Sequence, residues 1–293
     1  MINAPIQDVS VTSMRDADIV ALGVPCVGAS SAGKSKRRLT HAESHPEAGA
    51  LFYQSLRLIE QFTPGMVVLE NVGNYQDTAS MEVVRSLLSA WGYTSHEAIL
   101  DGNTFGALEN RKRLVVIAVS KGLQRLSGFD MDQVVPLREK EEKLSDIFEP
   151  IADDDKRWTI HEYLEKKEES DRAAGKGFMR QLFTGAESYI AVVTRCYAKI
   201  RSTDPHIKHP TKPRYTRLLT AVEHARVKAV PAGWIESTKV ANCVMHEILG
   251  QGVIWSLFEA VGAAIGAALH RAARWFVPAP DAASANDNMV LAA

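Results

Sequence analysis

The stretch DIVALGVPC, residues 18–26, decides the fold of this chain. Residues 18–24 are mostly apolar, which predicts a buried β-strand. Pro25 ends that strand, so Cys26 falls in the loop that follows it. Open sheets of parallel strands bind their ligands at the carboxyl ends of the strands, so Cys26 is a candidate functional residue.

The sequence on either side of this loop alternates short β-rich runs with longer amphipathic ones as far as residue 120, which is typical of a parallel α/β sheet. Further strands are predicted at residues 66–69, 94–100 and 114–120, and helices at 47–62 and 80–91. Helical patterning returns later in the chain, at residues 218–230 and 248–276. The second strand ends in Glu70-Asn71-Val72. A carboxylate is therefore predicted at the same rim as Cys26, as a nucleophile and acid pair requires.

Composition narrows the class of protein. The 293 residues are 46% hydrophobic, enough for one large domain or two of ordinary size, and the net charge of -1 gives no overall attraction to nucleic acid. Cys26, Cys196 and Cys243 are too few for a disulfide framework and lack metal-ligand spacing, so a cytoplasmic setting and no metal site are expected. Residues 253–269 contain Glu259 and fall short of a membrane span.

Residues 121–213 break the βα alternation and predict an inserted module with an acidic first half and a basic second half. The basic half is interleaved with aromatic residues, a mixture typical of surfaces that neutralise phosphates. An ordinary solvated face is the alternative. The basic residues are Lys176, Arg180, Arg195, Lys199, Arg201, Lys208, Lys212, Arg214 and Arg217.

Five motifs, in this order, resemble those of the cytosine-C5 DNA methyltransferase family. They are Gly23-x-Pro25-Cys26-x-x-x-Ser30, Glu70-Asn71-Val72, Arg111-x-Arg113, Arg217-x-Leu219-Thr220-x-x-Glu223-x-x-Arg226 and Gly250-x-Gly252-Val253. The resemblance implies an α/β, Rossmann-like S-adenosylmethionine-dependent methyltransferase fold. Residues 1–120 and 214–275 would form the catalytic domain, residues 121–213 the target-recognition region, and residues 276–293 a flexible tail.

The resemblance also implies roles in methylating C5 of cytosine in double-stranded DNA. Cys26 would add to C6 of the cytosine, a protonated Glu70 would stabilise the adduct near N3, and Arg111 and Arg113 would hold the flipped nucleotide. A thiol cannot reach C6 inside a duplex, so base flipping follows. Further contacts are expected to DNA from Ser30, Lys34, Arg195, Lys199, Arg201 and Arg217, and to S-adenosylmethionine from Gly250, Gly252 and Val253.

The chain departs from the family pattern in several places. Val24 and Val27 flank Pro25-Cys26 where the family has Pro-Pro-Cys-Gln, Glu109 stands for the usual Gln of the arginine motif, and Gln251 stands for Asn in the last motif. The Gly-rich turn that binds S-adenosylmethionine is not found before Asp18. We therefore expect weak cofactor binding by this chain alone and a separately encoded subunit that supplies the turn. An inactive DNA-binding remnant is the alternative.

Residues 28–35, GASSAGKS, also fit the phosphate-loop pattern G-x-x-x-x-G-K-[ST], so an NTPase is a second alternative. Such a loop should leave its strand directly and open into a helix. Pro25 breaks the strand before Gly28, and residues 36–46 show no apolar helical stripe. A flexible loop that brings Lys34 to DNA is the favoured interpretation.

Overall fold

The structure is a computed structural model that describes residues 2, 4–9, 17–25, 28–29, 41–45, 49–177 and 179–275. It divides into two compact units. The first comprises Met1–Ala98, Leu114–Val134 and Gly262–Ala293, and the second comprises Ile99–Arg113 and Val135–Val261. The arginine motif, residues 111–113, thus lies mostly in the same unit as the predicted recognition region. The sequence-based boundaries, at residues 120 and 213, had placed this motif in the catalytic domain. Those boundaries describe function and stay a prediction. The predicted tail lies outside the described residues.

A four-stranded sheet has the order β1-β2-β4-β3. The strands are β1 (Ile19–Gly23), β2 (Met66–Val72), β3 (Tyr93–Asp101) and β4 (Lys112–Ser120). Strands β1 and β2 are parallel, with Ile19 opposite Met66 and Gly23 opposite Glu70. All four predicted strands are confirmed, and β2 continues three residues further than predicted, through Glu70 to Val72.

The expectation of a wholly parallel sheet is wrong for β3 and β4. Gly102 N–H donates to the Arg111 carbonyl at 3.2 Å and Lys121 N–H to the Gly92 carbonyl at 2.9 Å, so the two strands form an antiparallel hairpin. The segment between them is short, whereas a parallel connection needs a crossover of about a dozen residues or more. A left-handed Gly106, at φ 83°, ends the single 3-10 turn of this connection.

Two amphipathic helices follow the parallel strands. They are α1 (Leu51–Phe62) and α2 (Ala79–Ala90), and a short α3 (Lys121–Ser127) follows β4. Helix α2 begins where the Thr78 hydroxyl accepts from Met81 N–H at 3.2 Å. The core beneath α1 and α2 contains Leu56, Ile59, Val84 and Leu88. Both predicted helices are confirmed with small shifts: Gly49 and Ala50 form a turn before the first, and the second ends one residue earlier than predicted, at Ala90.

The second unit carries a small sheet of β5 (Gln181–Phe183), β6 (Pro205–Lys208) and β7 (Thr216–Arg217), with β5 and β6 parallel and β6 and β7 antiparallel. Its helices are α4 (Glu162–Ala173), α5 (Ala221–Val227), α6 (Ala232–Glu236) and α7 (Asn242–Gln251). The inserted module is therefore more regular than its sequence indicated. Tyr197 and Leu144 are fully buried in its core.

The single helix predicted over residues 248–276 is instead two, α7 and α8 (Trp255–Ala273). Gly252 leaves the helical conformation, at φ -63° and ψ 160°, and divides them. The helix predicted at 218–230 is also shorter, because Thr220 caps it and it ends at Val227. Among the described residues no single helix could cross a membrane; α7 and α8 meet the length and composition test only as a pair, bent by 43°.

Candidate active site

The carboxyl ends of β1 and β2 bring two of the sequence motifs together. A β-carbon built on Gly23 would lie 3.9 Å from Glu70 Oε2, so the carboxylate sits beside the strand that leads to Cys26. Asn71 Nδ2 donates to the Val24 carbonyl at 3.2 Å, and its buried side chain ties the two strand ends. Glu70 is half-buried. Cys26, Ser30 and Lys34 lie outside the described residues.

The two arginines of the Arg111-x-Arg113 motif belong to the second unit and differ in accessibility. Arg111 is buried, and its guanidinium reaches Glu109 Oε1 at 3.4 Å and donates to the Gly250 carbonyl at 3.2 Å. Arg113 is half-buried, and its Nη1 donates to the Lys112 carbonyl at 2.7 Å. Arg113 is therefore the better placed of the two to meet a nucleotide.

A buried ion pair underlies this motif, and sequence reasoning missed it. Glu109 and Lys228 are both fully buried, with Lys228 Nζ 2.6 Å from Glu109 Oε2. Glu109 Oε1 also accepts from Val193 N–H at 3.1 Å. Burial lowers the pKa of Lys228 to about 8. Glu109, which replaces the family's Gln, is thus neutralised by Lys228. In the sequence, that replacement was the one sign that a buried ion pair lies here.

The assignment of Arg217 to DNA contacts is corrected by the structure. Its guanidinium is only 2% exposed and donates to both carboxylate oxygens of Glu223, at 2.6 and 2.9 Å. It also lies over the rings of Phe148 and Trp158, at 5.0 and 5.2 Å. Glu223 in turn completes a capping box with Thr220 at the start of α5. Arg217 therefore fixes the packing of Phe148 and Trp158 against this motif and is not available to phosphate.

Gly250 has a packing reason to be glycine. A β-carbon there would lie 2.2 Å from the Arg195 nitrogen and 2.3 Å from the Thr194 carbonyl carbon. On the side where a β-carbon would stand, Gly250 packs directly against protein backbone. Gly252 and Val253 are half-buried and remain the candidate contacts to S-adenosylmethionine.

The basic run divides into free and paired cations. Arg195, Lys199 and Arg201 are exposed, and none of the three forms an ion pair within the part of the chain that the structure describes. The paired cations are Lys176 with Asp171, Arg180 with Glu168 and Arg214 with Glu165. Lys208 and Lys212 are likewise in no ion pair within the described residues, and Lys212 Nζ donates to the Asp153 carbonyl at 3.0 Å. The segment 195–201 therefore carries three of the five cations of this run that have no ion pair.

Tyr197 anchors that segment in the core. Its hydroxyl donates to the Pro205 carbonyl at 2.7 Å and accepts from Leu219 N–H at 2.9 Å, and burial raises its pKa far above the usual value. Beside it, the stacked rings of His224 and His246 approach to 3.0 Å between their Nδ1 atoms. Burial lowers the pKa of His246 to about 4 and that of His224 well below its usual value. No cluster able to hold a metal ion occurs among the described residues.

Comparison with known proteins gives consistent relatives. Type II methyltransferase M1.ScrFI of Lactococcus lactis subsp. cremoris is 28% identical over 239 residues, which cover 78% of this chain and 58% of that protein. Type II methyltransferase M.MspI of Moraxella sp is 27% identical over 269 residues, covering 90% and 59%. The chain thus spans about three fifths of the length of these two relatives.

The fold is also found in solved structures. S. pombe Dnmt2 methyltransferase superposes with a TM-score of 0.68 at 17% identity, covering 90% of this chain and 83% of that one. Entamoeba histolytica methyltransferase EhMeth gives 0.70 at 14% identity, covering 90% and 82%. The family model for C-5 cytosine-specific DNA methylase matches residues 1–267. This chain therefore belongs to the C-5 cytosine-specific DNA methylase family.

Proposed function

We propose that this chain carries the nucleophile and the acid of a DNA (cytosine-5-)-methyltransferase. The observation that supports this most directly is the Glu70 carboxylate beside Gly23, at the rim where the chain continues into Pro25 and Cys26. The hydrogen bond from Asn71 to the Val24 carbonyl holds the backbone of β1 at the same rim. Pairing of a thiol with a carboxyl group at one strand rim suits covalent catalysis on a ring.

In the proposed step the Cys26 thiolate donates an electron pair to C6 of the cytosine, and a carbon–sulfur bond forms. The displaced π electrons move through the ring, and N3 takes a proton from the Glu70 carboxyl group. C5 becomes nucleophilic, and S-adenosylmethionine, when bound, would supply the methyl group and keep the electron pair of the broken methyl–sulfur bond. Restoring the ring then requires loss of the C5 proton, return of the carbon–sulfur pair to the Cys26 sulfur and return of the N3 proton to the Glu70 carboxylate. Arg113 is proposed to hold the flipped nucleotide, because its head is the more accessible of the two arginines.

This chain alone is proposed to bind S-adenosylmethionine weakly. At Gly250 the backbone of Thr194 and Arg195 lies where a β-carbon would stand, so Gly252 and Val253 are the proposed contacts. We propose that the methyl donor binds tightly only when a Gly-rich turn is supplied by further polypeptide, such as a separately encoded subunit. The proposed substrate is double-stranded DNA, and the proposed setting is the cytoplasm, as the few scattered cysteines favour.

The test is covalent trapping on duplex DNA that contains 5-fluorocytosine, with S-adenosylmethionine and the polypeptide that supplies the turn. Fluorine at C5 blocks the final elimination, so an active enzyme stays bonded to the DNA through C6. We expect a denaturation-resistant adduct with the natural chain and none with Cys26→Ser. Glu70→Gln should slow adduct formation by about a hundredfold or more, because proton transfer to N3 is lost.

Cys243→Ser is the matched control, because Cys243 is an exposed thiol on α7 and should not affect trapping. An adduct that persists in Cys26→Ser, or that disappears equally in Cys243→Ser, would contradict the mechanism. Failure of every variant to form an adduct would favour the inactive DNA-binding remnant.

DNA binding is expected to depend on Arg195, Lys199 and Arg201. Changing all three to Ala should weaken binding to duplex DNA and reduce the dependence of log Kd on log salt by nearly one for each charge removed, since each phosphate contact releases about 0.9 counterion. Fluorescence anisotropy over a series of salt concentrations measures both.

The triple change of Lys176, Arg180 and Arg214 to Ala serves as the control, because it alters net charge equally but removes cations already paired with carboxylates. Equal effects of the two triple variants would show that only net charge matters, against a specific role for residues 195–201.

A further inference from the structure

The chain on the carboxyl side of Cys26 returns to the core of the first unit at residues 42–45, which none of the five motifs includes. Gly28 meets this return directly, because a β-carbon built on it would lie 2.0 Å from the Ala42 carbonyl oxygen. Ala29 and Ala42 are both buried in the core of this unit. Residues 28–29 and 42 therefore form a closely packed stem, which begins two residues after Cys26.

The Glu43 carboxylate joins this stem to helix α2. Its Oε1 accepts from the Ser80 backbone N–H at 2.7 Å and from the Ser80 hydroxyl at 2.6 Å. Ser80 is buried, and its N–H is one of the first in α2, which have no acceptor within the helix. The backbone of Glu43 is itself closely packed, since a β-carbon on Gly49 would lie 2.0 Å from the Glu43 carbonyl oxygen. Although burial raises the pKa of Glu43, its hydrogen bonds with Ser80 hold that pKa below the usual value.

Two contacts thus connect the segment around Cys26 to the part of the chain that carries the acid. On the amino side of Cys26, Asn71 of β2 donates to the Val24 carbonyl at 3.2 Å. On the carboxyl side, Glu43 accepts from the start of α2, the helix that follows β2 along the chain. Loss of either contact would therefore let the nucleophile move relative to the acid.

We propose that Glu43 is a positioning residue for the Cys26 thiolate, and that it acts through Ala42 and Gly28 without touching the cytosine. Attack at C6 needs the sulfur about 3–3.5 Å from the carbon and aligned with its π orbital, and a misplacement of about 1 Å can cost about a hundredfold in rate. The inference rests on the proposed methyltransferase activity and deepens it, because it assigns a role in that reaction to a residue outside the motifs.

The test is the rate of covalent trapping on duplex DNA that contains 5-fluorocytosine, with S-adenosylmethionine and the polypeptide that supplies the Gly-rich turn. Glu43→Ala should lower the rate at saturating DNA by about tenfold or more and leave the half-saturating DNA concentration within about twofold. Glu43→Gln keeps an oxygen that can accept both bonds from Ser80, so it should retain at least about a third of the natural rate. Ser80→Ala loses the hydroxyl bond alone and should give an intermediate rate.

Hydrogen exchange of the chain alone is a second measurement, which needs neither DNA nor cofactor. Glu43→Ala should speed exchange of the Ser80 amide and of peptides that contain residues 28–29 by about tenfold, because the stem then opens locally. Glu43→Gln should leave both nearly unchanged. Glu60→Ala is the matched control, since Glu60 is an exposed carboxylate on α1 in the same unit and should change neither exchange nor trapping.

Circular dichroism of each variant establishes that it is folded. An equal loss of rate in Glu43→Ala and Glu43→Gln, or unchanged exchange at residues 28–29 in Glu43→Ala, overturns the inference. No adduct with the natural chain overturns the methyltransferase proposal and this inference with it. An adduct that forms equally fast in the natural chain and in Glu43→Ala overturns this inference alone, so the two failures are distinguishable.

Discussion

Changing Lys228 to Met is expected to destabilise the protein by about 3–5 kcal/mol, since it leaves the Glu109 carboxylate buried without its partner. The nearest remaining cation, Arg111, is 3.4 Å away and already donates to Gly250. Urea unfolding of the natural chain and of the variant measures this loss.

The double variant Glu109→Gln with Lys228→Gln separates charge from shape. Two amides of similar length can hydrogen-bond without burying a charge, so most of the stability should return. Glu109→Gln alone should be destabilising, because Lys228 is then buried without an anion. If the losses of Glu109→Gln and of Lys228→Gln, each measured singly, simply add in the double variant, the ion pair is not the coupling that holds these segments.

Gly250→Ala should cost about 3 kcal/mol, at the upper end for overpacking, because the new β-carbon would meet backbone and not a flexible side chain. The backbone of Arg195 would have to move, because side-chain rotation cannot relieve a contact of 2.2 Å with a backbone nitrogen. DNA binding should weaken together with stability, since Arg195 is one of the three exposed cations at residues 195–201 to which DNA contacts are assigned. Thermal unfolding and anisotropy measure the two effects.

Gly262→Ala in α8 is the control, because a β-carbon there meets nothing within 4 Å and alanine favours a helix by up to about 1 kcal/mol. A neutral result at Gly250 would show that the recognition segment can shift away from α7 at little cost.

The rim of β1 and β2 could be predicted from sequence because its signals are local. A strand pattern followed by Pro25-Cys26, and another followed by Glu70, fixes both ends once the strands are known to be parallel. The hairpin of β3 and β4 was harder, since hydrophobic patterning does not report strand direction. The direction could have been predicted from the connection, residues 102–111, which is too short for the crossover that parallel strands need.

Buried charges were the main failure of sequence reasoning. Arg217 appeared available for phosphate because its neighbours along the chain are basic, although Thr220 and Glu223 form a capping pattern that placed an acid within reach. The contact of Glu109 with Lys228 joins residues far apart in sequence, and no local pattern encodes it. The contact between His224 and His246 likewise joins residues on two different helices and has no local sequence pattern.

The Glu109–Lys228 pair also constrains how this protein can change over generations. A single codon change at either position produces an intermediate that buries one charge alone and folds poorly. The residues at positions 109 and 228 are thus expected to change together. Replacing the ion pair by a neutral pair requires two near-simultaneous substitutions or a compensating change elsewhere. Homologous genes with an acid at position 109 should therefore carry a base at position 228.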